Sequence, residues 1–242
     1  MWEYTIKCGM ENQPYIEYIY NRIVCVVVDV NGQLSMASTD TERILSVAIP
    51  EEYQGNISRV LRLLLCDVFC EKMKFDYIKD NWCYDIDNSF LEILIRVCTY
   101  FDIELERKIF MQNFNFTNSI MLDTYLDFCF GSLKQKWCDL VNLVNNNADI
   151  FFQDENFFEI LSFLVLNLGT KQDKVVLKVG NDDDIILEFN KMYVIYNKND
   201  LVGIISKLIE LSPKSLVVHM PNCDTYSIDK VVQLFGKKVV LC

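Results

Sequence analysis

His219 is the sole histidine of the chain, so a mechanism that relies on an imidazole base must use it. It closes the apolar run 215–219 and is followed by Met220-Pro221-Asn222-Cys223-Asp224. A thiol, a base and a carboxylate that orients the base are the parts of a nucleophilic mechanism. If 215–219 is a parallel strand, its carboxyl end is where ligands gather in α/β sheets. His219, Cys223 and Asp224 are therefore the candidate catalytic residues. The competing structural reading is a strand-end histidine held by backbone or by a helix terminus.

The other constellations point to simpler roles. Cys66 and Cys70 stand four positions apart on one face of a predicted helix, which suits two metal ligands or a shared oxidation. Zinc needs four ligands, and neither C-x-x-C nor a paired-histidine motif is present. The two read as thiols on an apolar stripe, and no metal site is expected. Asp182-Asp183-Asp184 lacks the alternate oxygen ligands and distal bidentate carboxylate of a calcium loop, with Glu188 too close; it reads as a solvated turn. No Gly-rich phosphate loop, G-x-S-x-G elbow or H-E-x-x-H sequence occurs, so no cofactor is expected. The aromatic stretch through Phe151, Phe152, Phe157, Phe158 and Phe163 reads as helix core with its entry contact, against the alternative of an exposed partner groove.

The elements that must position these residues follow from periodicity. Residues 2–10 alternate as a strand, and Pro14 opens a short helix to about Arg22. The β-branched run 23–30 ends at Asn31-Gly32, a hairpin signal with 33–38 as the return strand, and 44–49 makes a third strand. The middle is helical: 57–79, then about 87–110, then 119–145 bent at Gly131, then 155–168 closed by Gly169. Glu92 and Arg96 form an i,i+4 pair on the polar side of the second of these. Residues 174–179 and 185–189 form a hairpin and 192–196 a further strand. A helix (200–211), strand (215–219), helix (227–235) and strand (238–241) follow, an order that favours a parallel right-handed crossover. The expected class is α+β in three regions: a β-containing segment 1–55, a helical segment 56–170 and a C-terminal α/β unit 171–242.

Composition supports this. With 242 residues, 51% apolar and 24% charged, the balance is that of a globular chain and excludes a disordered polymer. Eight Gly and four Pro exclude collagen-like or linker-dominated chains and favour long helices. A net charge of −11 repels phosphate backbones, and no basic face interleaves with aromatics, so nucleic acid is not an expected partner. The start lacks a basic region followed by an apolar stretch, and no run reaches the ~20 apolar residues of a membrane span. The ten cysteines are unclustered and mostly within apolar runs such as Val24-Cys25-Val26, as in free core thiols of a reducing cytosol. The expected location is cytoplasmic. Abundant Asn, Ile, Lys and Tyr with few Ala suggest an AT-rich, low-GC bacterial genome.

Two segments carry a family resemblance. Asp154-Glu155-Asn156-Phe157-Phe158-Glu159-Ile160-Leu161-Ser162-Phe163-Leu164-Val165 is one. The other runs from Asp200-Leu201-Val202-Gly203 through Ser212-Pro213-Lys214 to His219. Together with the final helix, strand and Cys of 231–242, they resemble the YtxC-like sporulation proteins of spore-forming Firmicutes, over about the C-terminal half from Phe114. Residues 120–125 depart from the family pattern by lacking its positive charges. The resemblance implies a sporulation context and no established reaction. The expected function is a non-enzymatic interaction or structural protein of the cytoplasm, with a protein partner or self-association through apolar helix faces. The alternative is a small-molecule-binding protein or enzyme built around His219.

Overall fold

In the computed structural model, which describes residues 1–83, 88–147, 154–180, 184–219 and 226–242, the strand signals at the N-terminus form one mixed sheet. In β1 (Trp2–Gly9), Tyr4, Ile6 and Cys8 are buried and alternate with polar residues. It pairs antiparallel with β3 (Glu42–Ile49), whose Leu45, Val47 and Ile49 supply the same buried face. β2 (Gln33–Ser38) adds to β3, and the short β4 (Ser119–Met121) runs parallel to β1, giving the order β2-β3-β1-β4.

Against this sheet lies α1 (Gln13–Asp29), and here the structure corrects the sequence reading. The run 23–30 is not a strand; it continues the helix. Tyr15, Ile16, Ile19, Ile23 and Val27 are all buried at helical spacing, so burial on the sheet overrides the β propensity of the valines. Asn31-Gly32 ends the helix instead of turning a hairpin. Asn31 has φ 56, its N–H reaches Val28 O at 3.0 Å, and Gly32 N–H reaches Val27 O at 2.9 Å. Left-handed Asn is a recognised helix stop.

The helical stretch from Gln54 comprises α2 (Gln54–Asp67), a wide π-helical turn (Val68–Met73) and α3 (Lys74–Asp80). Expected as one helix, 87–110 is two: α4 (Asn88–Tyr100) and α5 (Ile103–Asn113). The break is at Asp102, with φ 57, a left-handed conformation that Asp tolerates better than most side chains. Likewise 119–145 is not a single bent helix. Ile120 pairs with Ile6 in the sheet, and α6 (Leu122–Cys129) and α7 (Gly131–Asn146) follow, separated by Phe130.

The chain resolves into two compact units. The first contains residues 1–77 and 103–139. Besides the sheet and α1, its interior is an aromatic cluster in which Phe110 lies 5.5 Å from Phe69 and 5.0 Å from both Phe114 and Phe130, centroid to centroid. The second contains 78–102 and 140–242, so the helical stretch 56–170 contributes to both.

In the second unit, α8 (Asp154–Asn167) is followed by β5 (Gln172–Val179), β6 (Ile185–Phe189) and β7 (Met192–Tyr196), an antiparallel meander as expected. Next come α9 (Leu201–Leu211), β8 (Pro213–His219), α10 (Tyr226–Phe235) and β9 (Val239–Leu241). β8 is parallel to both β5 and β9, giving the order β7-β6-β5-β8-β9. Alternation places Val175, Leu177, Ile185 and Leu187 on the buried face, where Ile204, Ile205, Leu208, Ile228, Val231 and Leu234 of the helices are also buried. The fold is α+β, with a strand-containing N-terminal region and a C-terminal sheet.

The cysteines divide by position. All nine of those described are free thiols; Cys8, Cys66, Cys70 and Cys98 are buried, but Cys25, Cys83, Cys129 and Cys242 are exposed. Cys25 is therefore not a core residue, because its place in the valine run falls on the outer side of α1.

Candidate functional site

A polar recess of the second unit lies along α4 and α9, which pack together. Asp200 starts α9 by accepting Gly203 N–H on Oδ1 at 2.9 Å. An added Cβ at 203 would meet the Asp200 carboxylate, which would have to shift to make room. The helix then buries Ile204, Ile205, Leu208 and Ile209 and stops at Ser212, left-handed with φ 38, just before Pro213. This apolar stripe orients the opposite side of α9, with Lys207 and Glu210, toward the polar side of α4.

The resulting groove has a volume of about 560 Å³ and is lined by Glu92, Arg96, Tyr196, Asp200, Ser206, Lys207 and Glu210 among others. Arg96 donates through Nη2 (2.8 Å) and Nε (3.2 Å) to Glu92 Oε1. Lys207 Nζ is 2.8 Å from Glu210 Oε1. Burial raises the Tyr196 phenol above its ordinary range, reinforced by Glu210 and Asp200 and opposed by Arg96; Tyr196 thus stays a neutral hydroxyl well past neutral pH. Ser206, 8% exposed, buries a hydroxyl that has no hydrogen-bond partner among the described residues. Three carboxylates against two cations leave the groove with one excess negative charge, located by pairing at Asp200. Sequence reasoning identified Glu92 with Arg96, and the helix at 200, but not their adjacency. The Asp-x-x-Gly start of α9 was the visible local signal.

His219 is the last residue of β8, exposed, and in register with Lys178 of β5. On the other side of β8, Cys242 N–H donates to Val218 O at 3.0 Å. Lys178 is held by Glu188 at 2.7 Å. Cys223 and Asp224 lie outside the described residues, as do Asp182 and Asp183.

The first unit contains a buried polar cluster that sequence reasoning missed. Lys74 Nζ is 3.0 Å from both carboxylate oxygens of Glu106, whose Oε1 also accepts Trp137 Nε1–H at 3.1 Å. One turn earlier, Arg107 bridges Asp67 (2.7 Å) and Glu71 (3.3 Å). Beside it, a hydrogen bond from the Cys70 thiol lowers the pKa of Cys66, against the opposing effect of burial. That same bond, together with burial, pushes Cys70 far above its ordinary range. The π turn sets this arrangement, since its wider step moves Cys70, Glu71 and Lys74 off the regular stripe. Of the aromatic stretch, Phe158 lies under Lys230 at 3.9 Å, while Phe163 is 65% exposed and so is not core. The side chains of Phe151, Phe152 and Phe157 lie outside the described residues.

Among the described residues, no group of three or more His, Cys, Asp or Glu side chains is placed to hold a metal ion, and no helix is long and apolar enough to cross a membrane. Comparison with family models, with characterised proteins and with solved structures finds no match.

Proposed function

We propose that the protein is a non-enzymatic interaction protein of the cytoplasm, acting in the sporulation programme of a Firmicute, with β7 as its docking element. One observation carries this reading. β7 is an end strand of its sheet, and Met192, Tyr193 and Ile195 are 57%, 68% and 53% exposed. Natural end strands are usually blunted by charge, proline or a bulge, and Met192-Tyr193-Val194-Ile195-Tyr196 has none of the three. The groove beside it, about 810 Å³, is lined by Lys171, Lys174 and Lys191 against Asp173 and Glu188, with Val176, Phe189 and Tyr193. The exposed apolar side chains and the unpaired outer side of β7 favour an extended apolar segment from a partner protein, adding to the sheet as a further strand; the net charge of −11 is only locally offset by the three lysines. Nucleic acid is not proposed as a partner, given that overall charge.

The experiment is deletion and complementation in a spore former. Deletion should reduce spore yield, and an Ile195→Lys copy should fail to restore it while keeping the wild-type circular dichroism spectrum. Normal yield on deletion sinks the sporulation context, and full rescue by Ile195→Lys sinks docking at β7.

A second reading, a small-molecule site at the end of β8, is favoured by His219 being exposed at the carboxyl end of a strand with parallel neighbours on both sides, where α/β sheets bind ligands. His219→Asn should then keep the fold and lose the deletion rescue; full rescue removes this reading.

A further inference from the structure

We propose that β7 pairs antiparallel with β7 of a second copy of this chain, centred on Val194, and that this closes the docking edge until a partner segment displaces the copy. The inference rests on the reading of β7 as the docking element and adds what occupies that edge in the free protein. It starts from the turn before the strand. Asn190 and Lys191 have φ 47 and 63, the two left-handed residues of a tight hairpin, and Phe189 pairs with Met192 across it. The pair that closes a two-residue hairpin is hydrogen-bonded, and bonded pairs alternate along an antiparallel ladder. Met192, Val194 and Tyr196 therefore use their main-chain groups on β6. Those of Tyr193 and Ile195 point away from β6, where no further strand pairs among the described residues.

This edge is complementary to itself. About a two-fold axis at Val194, Tyr193 of one copy stands opposite Ile195 of the other, and each exchanges both main-chain bonds with its opposite. A slip by one residue loses these bonds, because it sets the outward groups against residues already bonded to β6. The side chains agree. Tyr193 and Ile195, 68% and 53% exposed, share a face of the sheet with Ile186 of β6, and the pairing sets aromatic against β-branched on both sides of the axis, a favourable cross-strand combination. Charge agrees as well. Residues 189–199 hold two lysines and no acidic residue, and this register sets Lys191 opposite Asn197 and Lys198 opposite Asn190, so no like charges face each other. The exposed apolar area is on the order of a few hundred Å² per copy, below the ~800 Å² per partner of a standard interface. That sets a weak dimer from which a partner can release the edge. A two-fold contact uses β7 on both sides and closes, whereas β7 against β9, the other end strand, would propagate from copy to copy.

Sedimentation and hydrogen exchange of the full chain test this. The weight-average mass should rise from that of one chain toward that of two between about 5 and 500 µM. Over the same range, exchange at β7 should slow about threefold or more, with exchange at β9 unchanged. Ile195→Lys should weaken the dimer about tenfold or more, with an unchanged circular dichroism spectrum. Val240→Lys on β9 should dimerise as the wild type does. A wild-type chain still monomeric at about 500 µM overturns self-pairing, as does a mass increase without added protection at β7. A dimer that survives Ile195→Lys, or is lost in Val240→Lys, overturns it too by placing the contact elsewhere. Failure of the docking reading shows differently, as full restoration of spore yield by Ile195→Lys.

Discussion

Lys74 and Glu106 form a buried ion pair inside the first unit, the ammonium 3.0 Å from each carboxylate oxygen and the two side chains only 1% and 3% exposed. Their sequence separation hides the relationship, yet the π turn after Asp67 and the start of α5 at Ile103 bring them together. A buried pair of this kind is costly to break from one side, because the remaining charge loses its partner but keeps its desolvation cost. Lys74→Met should therefore destabilise the protein by about 3–5 kcal/mol, measured as a lowered urea midpoint. The indole N–H of Trp137 carries no charge and does not neutralise the Glu106 carboxylate. The double replacement Lys74→Met with Glu106→Leu should recover most of that loss, and additive losses in the double variant would show that the pair is not energetically coupled.

Gly32 is held by packing more than by its backbone angle. A Cβ there would stand 2.7 Å from side-chain carbons of Ile49 and Val27 and 2.9 Å from the Ala48 carbonyl oxygen. The backbone oxygen cannot swing aside, so Gly32→Ala must push α1 away from β3. The expected loss is about 1–3 kcal/mol, seen as a lower thermal midpoint. The same change at Gly55, where nothing lies within 4 Å, should stabilise slightly or leave stability unchanged, since it sits in the first turn of α2 and alanine is the better helix former.

These two sites also show what was legible in the sequence. The strands at Trp2–Gly9, Ile185–Phe189 and Met192–Tyr196 and the C-terminal crossover were readable because alternation and short links constrain them locally. The stretch 23–30 was misread because its valines favour a strand in isolation, whereas their helical spacing lets Ile23 and Val27 bury against β1 and β3. Asn31-Gly32 serves a hairpin or a helix stop equally well, and only the preceding element decides between them. The split at Asp102 had no Gly or Pro to announce it. The groove was half visible: the Glu92 and Arg96 pair and the helix over 200–211 were each read locally, but their adjacency depends on how α4 packs against α9. Lys74 and Glu106 were invisible because a buried ion pair looks like any two surface charges until the chain is folded.

Thiol reactivity should follow burial. Cys25, Cys83, Cys129 and Cys242 are exposed, and Cys8, Cys66, Cys70 and Cys98 are buried. Brief alkylation of the native protein at pH 8, followed by peptide mass mapping, should label the first four and spare the second four. All eight should react after unfolding without reductant. Cys66 is the sharpest case, because the bond from Cys70 favours its thiolate while burial withholds the reagent. Protection of Cys66 shows that access dominates; rapid labelling would mean that the π turn opens readily.

Alkaline pH should loosen the first unit through Tyr18. Its hydroxyl donates to Asp67 Oδ2 at 3.2 Å, and burial first, then the Asp67 charge, push the phenol up to about 12 from an ordinary value of 10.0. Between these values the unfolded chain gives up the Tyr18 proton while the folded chain keeps it. The unfolded state thus binds fewer protons, and stability falls as pH rises. This contribution is fully present below pH 10 and is lost as pH climbs toward 12. Tyr18→Phe removes the titrating group, so its urea midpoint should decline less steeply than that of the wild type across that window. Tyr4, also shifted upward by burial, keeps part of the slope in both proteins. Parallel curves for the two would show that Tyr18 ionises alike in the folded and unfolded chains.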